Sequence, residues 1–324
     1  MRANQASRTD IPAASRIVED VDAMALAVAD GVRCEYVQLE STPFRARWSI
    51  VHFDPFVLQF GSEDTAVVRR VRIPADRWAF MIPLEVPRAA RWNGHSLRHD
   101  DLMVCPPRSE CLAFDPPSTR FAILTAHTAS VIAEAALPFW SGRGSEPVAI
   151  ACGPDIATFR ERLAAVRAQA EMSARSSRAA GAFLQQTAID CLRQAAATRG
   201  DAVMIGDRSR IVSRAEAFFR RHMSEGVSVA ELSNVTGVSE RSLRNAFYDV
   251  YTTSPKRYMK LCQLHQVRHA LRAGTCEATV TDVATDHGFY ELGRFAGAYK
   301  SLFGEAPSET LRKARYQQLT RGAA

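Results

Sequence analysis

The sequence predicts a two-domain α+β chain, with a strand-rich N-terminal barrel or jelly roll followed by helices, and an all-helical C-terminal domain. Three observations predict this fold class. Short β-branched and aromatic runs fill residues 34–127, helix-forming segments follow them, and a duplicated helical pattern occupies residues 208–316. The length of 324 residues suits two domains of ordinary size.

The N-terminal strands are predicted from residue type and from the turns between them. They lie at residues 36–39, 48–53, 57–60, 67–73, 78–84, 102–105 and 121–125. Asn93 and Gly94 separate two short runs and predict a tight hairpin, because both residues tolerate positive φ. Many short strands at this spacing are typical of a barrel or jelly roll.

Two segments rich in Ala, Leu, Arg and Gln follow the strands and predict helices at residues 156–171 and 179–197. The second keeps apolar side chains at helical spacing, so residues 179–199 are the candidate dimer contact. The predicted boundaries are a tail and lead-in at 1–33, the N-terminal domain at 34–199, a linker at 200–207, the C-terminal domain at 208–316 and a tail at 317–324.

Composition excludes several classes of protein. Hydrophobic residues make up 47% and charged residues 23%, as in a globular protein. The best candidates for a membrane span, at 24–29 and 80–84, are far shorter than the ~18–20 residues that a span needs. Residues 1–15 lack an apolar signal core. We therefore expect a cytoplasmic protein that does not enter a membrane.

Sequence motifs give no sign of catalysis. The seven cysteines form no C-x-x-C pair, and the histidines of the strand-rich region show no metal-ligand spacing. A nucleophile motif and a glycine-rich phosphate loop are also missing. We expect no metal, no cofactor and no catalytic residue, so the sequence does not predict an enzyme.

The positive charge of the chain lies in its C-terminal third. Of 41 Lys and Arg and 35 Asp and Glu, residues 207–324 hold 18 and 12, which leaves 23 of each sign in residues 1–206. A basic domain beside a neutral one favours a polyanion as the partner of that domain alone.

The C-terminal domain contains the same pattern twice. Val229, Leu232, Gly237, Val238, Leu243, Phe247, Tyr251, Pro255 and Met259 match, in chain order, Val280, Val283, Gly288, Phe289, Phe295, Tyr299, Phe303, Pro307 and Leu311. In each copy a short helix ends at a turn glycine and a second helix follows. This layout is that of a helix-turn-helix pair, which places its second helix in the major groove of DNA.

The second helix of the first copy is predicted to read bases. Ser239 caps it, and a projection at 100° per residue puts Leu243, Ala246, Phe247 and Val250 on its core face. The opposite face carries Arg241, Arg244, Asn245 and Tyr248. Arg suits the guanine edge and Asn the adenine edge. An ordinary solvated helix surface is the alternative, against which the turn and the duplication both argue.

The second helix of the second copy has a different outward face. Gly293, Ala296, Gly297 and Lys300 lie on it, flanked by Tyr290, Leu292 and Arg294. Glycine and alanine have no hydrogen-bonding side chain, so we expect this helix to approach DNA closely and to hold phosphates. The first copy then sets the sequence preference, and the second mainly adds affinity.

A long helix at residues 255–273 is predicted to join the two copies. It spans ~28 Å at 1.5 Å per residue. Successive major-groove entries on one face of DNA lie ~34 Å apart, so one subunit can fill two adjacent major grooves.

These residues resemble the AraC/XylS family of bacterial transcription regulators over about residues 208–316. The most specific stretches are Gly288-Phe289, Arg294-Phe295, Tyr299-Lys300, Phe303-Gly304 and Pro307. The resemblance implies an activator or repressor that binds double-stranded DNA, contacts RNA polymerase and forms a homodimer. It carries base contacts over to Arg241, Arg244, Asn245, Leu292, Gly293 and Gly297. The sequence departs from the family at Gly297 and Gln263, where Arg is usual.

The resemblance also implies a cupin-like N-terminal domain for small-molecule sensing and dimerisation. Four residues are candidates for contact with an effector: Trp48, Phe80, Arg91 and Trp92. The alternatives are that the aromatic residues are plain core and the arginines face solvent. Two other functions therefore stay open, a DNA-binding regulator with a purely structural N-terminal domain and, more distantly, a cupin enzyme fused to a DNA-binding module.

Overall fold

The computed structural model describes residues 16–28, 32–53, 56–128, 148–151, 156–161, 163–165, 186, 203, 204, 206–273 and 278–322. Within them, a strand-rich N-terminal region precedes a helical C-terminal domain, as predicted. Residues 156–161 and 163–165 are helical. The tail at 1–15 and nearly all of the candidate dimer contact at 179–199 lie outside the described residues.

The strands of the described residues cover every predicted strand. They are β1 (Arg16–Val18), β2 (Arg33–Gln38), β3 (Ala46–Phe53), β4 (Phe56–Glu63), β5 (Val67–Arg72), β6 (Arg77–Glu85), β7 (Arg91–Trp92), β8 (His95–Ser96), β9 (Asp101–Cys105), β10 (Glu110–Asp115), β11 (Thr119–His127), β12 (Val148–Ala151) and β13 (Val203–Met204). Sequence reasoning missed β1, β10, β12 and β13. The predicted hairpin joins β7 to β8, with positive φ at Asn93 and Gly94.

The described strands form two open sheets instead of a closed barrel. The large sheet has the order β1-β3-β4-β11-β6-β9-β12-β13, and the small sheet has the order β2-β5-β10-β7-β8. Both are antiparallel. Their apolar inner faces pack on one another, so this core is buried without the continuous ladder that a barrel requires.

A close contact of two aromatic rings lies in the core between the sheets. The ring centroids of Trp48 on β3 and Phe121 on β11 are 5.9 Å apart. Gly61 on β4 lies between them, and a Cβ there would come within 2.5 Å of both rings. Glycine is therefore required at this position. Helix α1 (Val21–Ala27), which sequence reasoning missed, adds the buried Met24 to the same core.

The C-terminal domain contains the helices that the duplicated pattern predicts. They are α2 (Asp207–Arg221), α3 (Val229–Thr236), α4 (Glu240–Tyr251), α5 (Pro255–Ala273), α6 (Val280–Asp286), α7 (Leu292–Phe303) and α8 (Pro307–Gly322). A 3₁₀ turn, Met223–Glu225, joins α2 to α3. We call α3 and α4 unit 1, and α6 and α7 unit 2. Helix α5 has the predicted limits and joins the units.

The small sheet packs directly on the C-terminal domain. Its outer face supplies Val68, Leu112 and Phe114 to one apolar core with helices α2, α4 and α5. The predicted linker at 200–207 contains β13, which pairs with β12, and the first residue of α2. The two regions therefore share a core, which local sequence patterns do not show. In the described part of the chain, no helix is long and apolar enough to cross a membrane.

Candidate nucleic-acid interface

Each unit begins with the same local device. Ser228 and Glu231 form a reciprocal capping box at the start of α3, and Thr279 and Asp282 form one at the start of α6. The box satisfies backbone N–H groups that the first turn of a helix leaves without partners. Hydrogen bonds from the paired Ser or Thr lower the pKa of both Glu231 and Asp282. The duplication thus extends to the helix starts.

A glycine lies in the turn that follows the first helix of each unit. Gly237 has φ +72° and Gly288 has φ +83°, which confirms the predicted helix-joining bends. In unit 1 the hydroxyl of Ser239 then accepts the Ser242 N–H at 3.2 Å, so Ser239 is the predicted cap of α4. The second helix of each unit is therefore directed by a turn and, in unit 1, by a side-chain cap.

Helix α4 presents the predicted polar face to solvent. Its core residues Leu243, Ala246, Phe247 and Val250 are buried, while Arg241, Arg244, Asn245 and Tyr248 are exposed. The Arg244 guanidinium donates a hydrogen bond to the carboxylate of Glu240, one turn earlier. Sequence reasoning missed this partner, although its i,i+4 spacing is a known signal. Because the pair is exposed, a base or a phosphate can take the place of Glu240 as the hydrogen-bond partner of Arg244 at a small cost in free energy.

Helix α7 presents the predicted small face. Phe295, Tyr299 and Leu302 are buried, and the outward residues Leu292, Gly293, Arg294, Gly297 and Lys300 are exposed. A Cβ at Gly293 or Gly297 would meet nothing within 4 Å, so packing inside the protein does not require glycine there. Arg294 Nη1 lies 2.6 Å from Glu291 Oε2. Tyr290 is exposed, and its hydroxyl donates to the Ser224 carbonyl at 3.1 Å.

The part of the N-terminal region that the structure describes leaves both outward faces uncovered. Every predicted DNA-binding residue is exposed. The small sheet packs on the opposite side of α4, where Gly94 of the hairpin lies near the side chain of the buried Val250. The N-terminal region therefore supports unit 1 from behind and does not cover its polar face.

A buried ion-pair network links the small sheet to α2, which also bonds the last residue of α4. Arg70 Nη2 on β5 lies 2.9 Å from Glu216 Oε2 on α2, and Arg70 Nε lies 3.0 Å from Glu110 Oε1 on β10. The hydroxyls of Tyr251 and Tyr258 also donate to the Glu216 carboxylate. Burial raises the pKa of Glu216, although Arg70 and the tyrosines act against that shift.

A second set of ion pairs links α1 to α5. Asp20 Oδ2 lies 2.5 Å from Arg268 Nη2, and Asp20 Oδ1 lies 2.6 Å from Arg272 Nη1. Asp22 lies 3.0 Å from the same Arg272 nitrogen. Burial raises the pKa of Asp20, but the hydrogen bond from Arg272 and the charges of both arginines outweigh it and lower the pKa to about 2. Beside them, buried His265 accepts the Gln38 N–H at 2.9 Å, and burial lowers its pKa to about 4.

The structure does not bring the four candidate effector residues together. Trp48 and Trp92 lie in the core between the sheets. Phe80 lies on the other face of the large sheet. Its cross-strand partner Leu124 directly follows Ile123, whose side chain faces the core between the sheets, and successive side chains of a strand point to opposite faces. Arg91 donates to the carbonyls of Arg88 and Ala90. The alternation of side chains along the strands therefore places apart candidate residues that were grouped by residue type alone.

The inner core instead contains the buried Arg69, an arginine that could have anchored an anionic ligand, together with Glu63 and Asp115, which sequence reasoning did not single out. Arg69 Nε donates to Asp115 Oδ2 at 2.5 Å, and its guanidinium lies 4.0 Å from the centroid of the Phe121 ring. Arg69 Nη1 lies 3.9 Å from Glu63 Oε1. Burial outweighs the attraction of Arg69 and raises the pKa of Glu63 to about 7. Strand alternation was the available signal, since it places Arg69 and Arg70 on opposite faces of β5. Within the described residues, no group of His, Cys, Asp and Glu is arranged to hold a metal ion.

Comparison with known proteins finds a family match within the C-terminal domain. Residues 232–313 match the sequence model of a helix-turn-helix domain family. The XylDLEGF operon transcriptional activator of Pseudomonas putida is 36% identical over 103 residues, which are 32% of this chain and 32% of that protein. A probable thc operon regulatory protein of Rhodococcus erythropolis is 39% identical over 103 residues, 32% of this chain and 31% of that protein.

A solved structure shows the same extent of similarity. The crystal structure of a probable AraC family transcriptional regulator from Rhodopseudomonas palustris is 33% identical, covers 32% of this chain and 97% of its own, and has a TM-score of 0.31. The chain spans about a third of the length of the curated relatives it matches.

Proposed function

We propose that this chain, whose C-terminal domain is of the AraC/XylS helix-turn-helix type, is a sequence-specific DNA-binding transcription regulator. One observation carries the proposal. Two units of the same design present exposed outward faces on their second helices while both core faces are buried. The excess of positive charge lies in the same domain. Duplex DNA, with two successive major grooves, is the partner that fits this arrangement.

Unit 1 is proposed to choose the sequence. Arg241, Arg244 and Asn245 are exposed on one face of α4, with Tyr248 and Ser239 beside them. A bidentate contact from Arg to guanine or from Asn to adenine is worth about 1–3 kcal/mol of discrimination against a wrong base. The exposed Glu240 partner keeps Arg244 extended along α4 until a base replaces it.

Unit 2 is proposed to supply affinity. Gly293 and Gly297 open the surface of α7, so a sugar-phosphate backbone can approach the helix closely. Lys300 and Arg294 then neutralise phosphates, and Tyr290 and Leu292 line the approach. Contacts of this kind depend on salt and carry little sequence information.

Selection of DNA sites by the purified full chain tests both roles. Arg244→Ala is expected to change the preferred bases at one position, whereas Lys300→Ala weakens binding to all selected sites alike and reduces the salt slope by about one. Lys313→Ala is the control for lost charge, because the Lys313 ammonium already lies 2.6 Å from a Glu305 carboxylate oxygen. An unchanged base preference in Arg244→Ala contradicts the role of unit 1.

The two-sheet N-terminal region is proposed to be a cupin-like sensor and dimerisation domain that responds to a small-molecule effector. Its small sheet shares a core with unit 1, so a shift between the sheets reaches α2 and α4 directly. A screen for compounds that raise the Tm of the chain, followed by DNA-affinity measurements with each hit, tests this role. Hits that leave DNA affinity unchanged argue against it.

A purely structural N-terminal region is the second candidate. The packing of Trp48 against Phe121, and of Trp92 with the buried Arg69, favours it, because other side chains of the protein lie against these rings. The screen for effectors distinguishes the two candidates.

Dimerisation, contact with RNA polymerase and a cytoplasmic location complete the proposal. They follow from the resemblance to regulators of operons and not from a contact in the structure. Sedimentation of the full chain measures its oligomeric state. Transcription in vitro from a promoter that carries a selected site shows whether the chain activates or represses.

A further inference from the structure

Among the described residues, the turn of unit 2 meets the segment that leads into unit 1 at a small junction beside helix α5. Unit 2 contributes the turn at residues 287–290, and the segment that leads into unit 1 contributes the 3₁₀ turn Met223–Glu225. Gln263 of α5 lies beneath both and is half-buried. Gln263 is also a position at which the sequence departs from the AraC/XylS family that it resembles, where Arg is usual.

The amide of Gln263 bonds both sides of this junction. Its Nε2 donates to the His287 carbonyl at 3.0 Å and to the Met223 carbonyl at 3.4 Å. A side-chain amide has two N–H donors, so one group can hold both carbonyls at once. Both acceptors are backbone atoms, which fixes the position of the chain itself and not only of a side chain.

Gly288 shows how closely the two sides approach. A Cβ at Gly288 would lie 2.9 Å from Gln263 Nε2 and 3.0 Å from the Met223 carbonyl oxygen. Gly237 occupies the matching turn of unit 1 with a similar φ, yet a Cβ there would meet nothing within 4 Å. The turn of unit 2 thus has a contact role that the turn of unit 1 lacks.

A second hydrogen bond across the junction is accepted by Ser224, the residue after Met223. The Tyr290 hydroxyl donates to the Ser224 carbonyl at 3.1 Å. Two successive carbonyls of the 3₁₀ turn therefore accept hydrogen bonds, one from Gln263 of α5 and one from Tyr290 of unit 2. Helix α4 precedes α5 in the chain, and α7 follows it after α6, so the two outward-facing helices belong to units joined at opposite ends of α5. Rotation at either end of α5 would change their separation, and the junction opposes that rotation.

We propose that Gln263 is a positioning residue that fixes the distance and angle between α4 and α7, so that the chain accepts two DNA half-sites at one separation only. The inference rests on the proposed function, because it requires both units to bind one duplex. Half-sites read from one face of DNA lie about 10–10.5 base pairs apart, and a shift of one base pair also turns the second site around the helix axis. Because a rigid junction prevents the two units from adjusting to that shift, the chain binds the shifted site more weakly.

The test uses the full chain and three kinds of duplex probe. One carries the whole site selected by the unaltered chain, a second carries the site with one base pair inserted between its halves, and a third carries only the unit 1 half. Gln263→Leu removes both N–H donors at similar volume. Gln266→Leu is the matched control, since Gln266 is exposed on the same helix.

Gln263→Leu is expected to bind the whole site about tenfold more weakly, the loss that follows from one or two hydrogen bonds. Its affinity for the half-site is unchanged, and its preference for the correct spacing over the shifted spacing shrinks. Gln266→Leu keeps the original preference. Tyr290→Phe removes one hydroxyl with little risk to folding, and it is expected to shift the spacing preference in the same direction by a smaller factor.

Two outcomes overturn the inference in distinguishable ways. A spacing preference that stays intact in both Gln263→Leu and Tyr290→Phe, with the whole site still bound, shows that the junction does not set the separation. Failure of the unaltered chain to select any duplex overturns the proposed function itself.

Discussion

Replacing Arg70 by Met tests whether the small sheet and unit 1 form one cooperative structure. The Arg70 side chain is 4% exposed and the Glu216 side chain 1%, and their closest atoms are 2.9 Å apart. The substitution keeps much of the side-chain volume but leaves the Glu216 carboxylate without its cation. Breaking a buried ion pair from one side costs about 3–5 kcal/mol, so we expect a loss of that size in the free energy of unfolding at pH 7.

Two optical probes report separately on the two regions. All four tryptophans lie within residues 48–140, so tryptophan fluorescence follows the N-terminal region during urea unfolding. Far-ultraviolet circular dichroism follows mainly the helices of the C-terminal domain. In the unaltered chain the two transitions are expected to coincide, because the regions share a core. In Arg70→Met they separate.

The controls come from the same strand and the same pair. Arg72 is 47% exposed and pairs with Glu35 and Glu110 at the surface, so Arg72→Met is expected to cost at most about 1 kcal/mol. Adding Glu216→Gln to Arg70→Met removes the unpaired charge and restores most of the loss. A loss below about 1 kcal/mol in Arg70→Met, with coincident transitions, would refute this account of the interface.

Three further substitutions test particular environments. Burial lowers the pKa of His265 to about 4, so its neutral form stabilises the chain above pH ~6.5, and that stability is lost as the pH falls towards 4. Urea unfolding at pH 7 and pH 5 is expected to show a smaller acid loss in His265→Asn than in the unaltered chain. Burial raises the pKa of Glu63 to about 7, so its contribution is full below pH ~4.5 and is lost as the pH rises through 7. Glu63→Gln is therefore expected to gain stability relative to the unaltered chain between pH 5 and pH 8; a constant difference across this range argues against the raised pKa. Gly288→Ala is expected to lower Tm more than Gly237→Ala, because both strain a positive φ but only Gly288 lies against Gln263 and the Met223 carbonyl. Equal Tm losses would count against a tight junction.

Features of the chain that depend on neighbours in sequence were predictable. The helical period of the duplicated pattern placed Leu243 and Phe247 in the core and Arg244 outside, and the structure confirms all three. The limits of α5 and the turns at Gly237 and Gly288 followed from similarly local signals, a helix period and a required positive φ. Residue type and the turns between the runs likewise located most of the strands, although β10 was missed.

Features that depend on distant residues were not predictable from a single sequence. The division of the strands into two sheets, and the placement of Trp48 and Phe80 on opposite faces of one of them, follow from pairings between strands far apart in the chain.

By itself, the amino-acid order determined the two units and the outward face that each presents, because those depend on residues a few positions apart. Only the tertiary structure decided that Arg70 meets Glu216 and that Gln263 meets Met223, since these partners are separated by many residues and are brought together by apolar burial over a whole surface. Neighbouring Arg69 and Arg70 illustrate the difference. The alternation of side chains along a strand sends them to opposite faces, and the packing on each face then gives each arginine its own set of carboxylates.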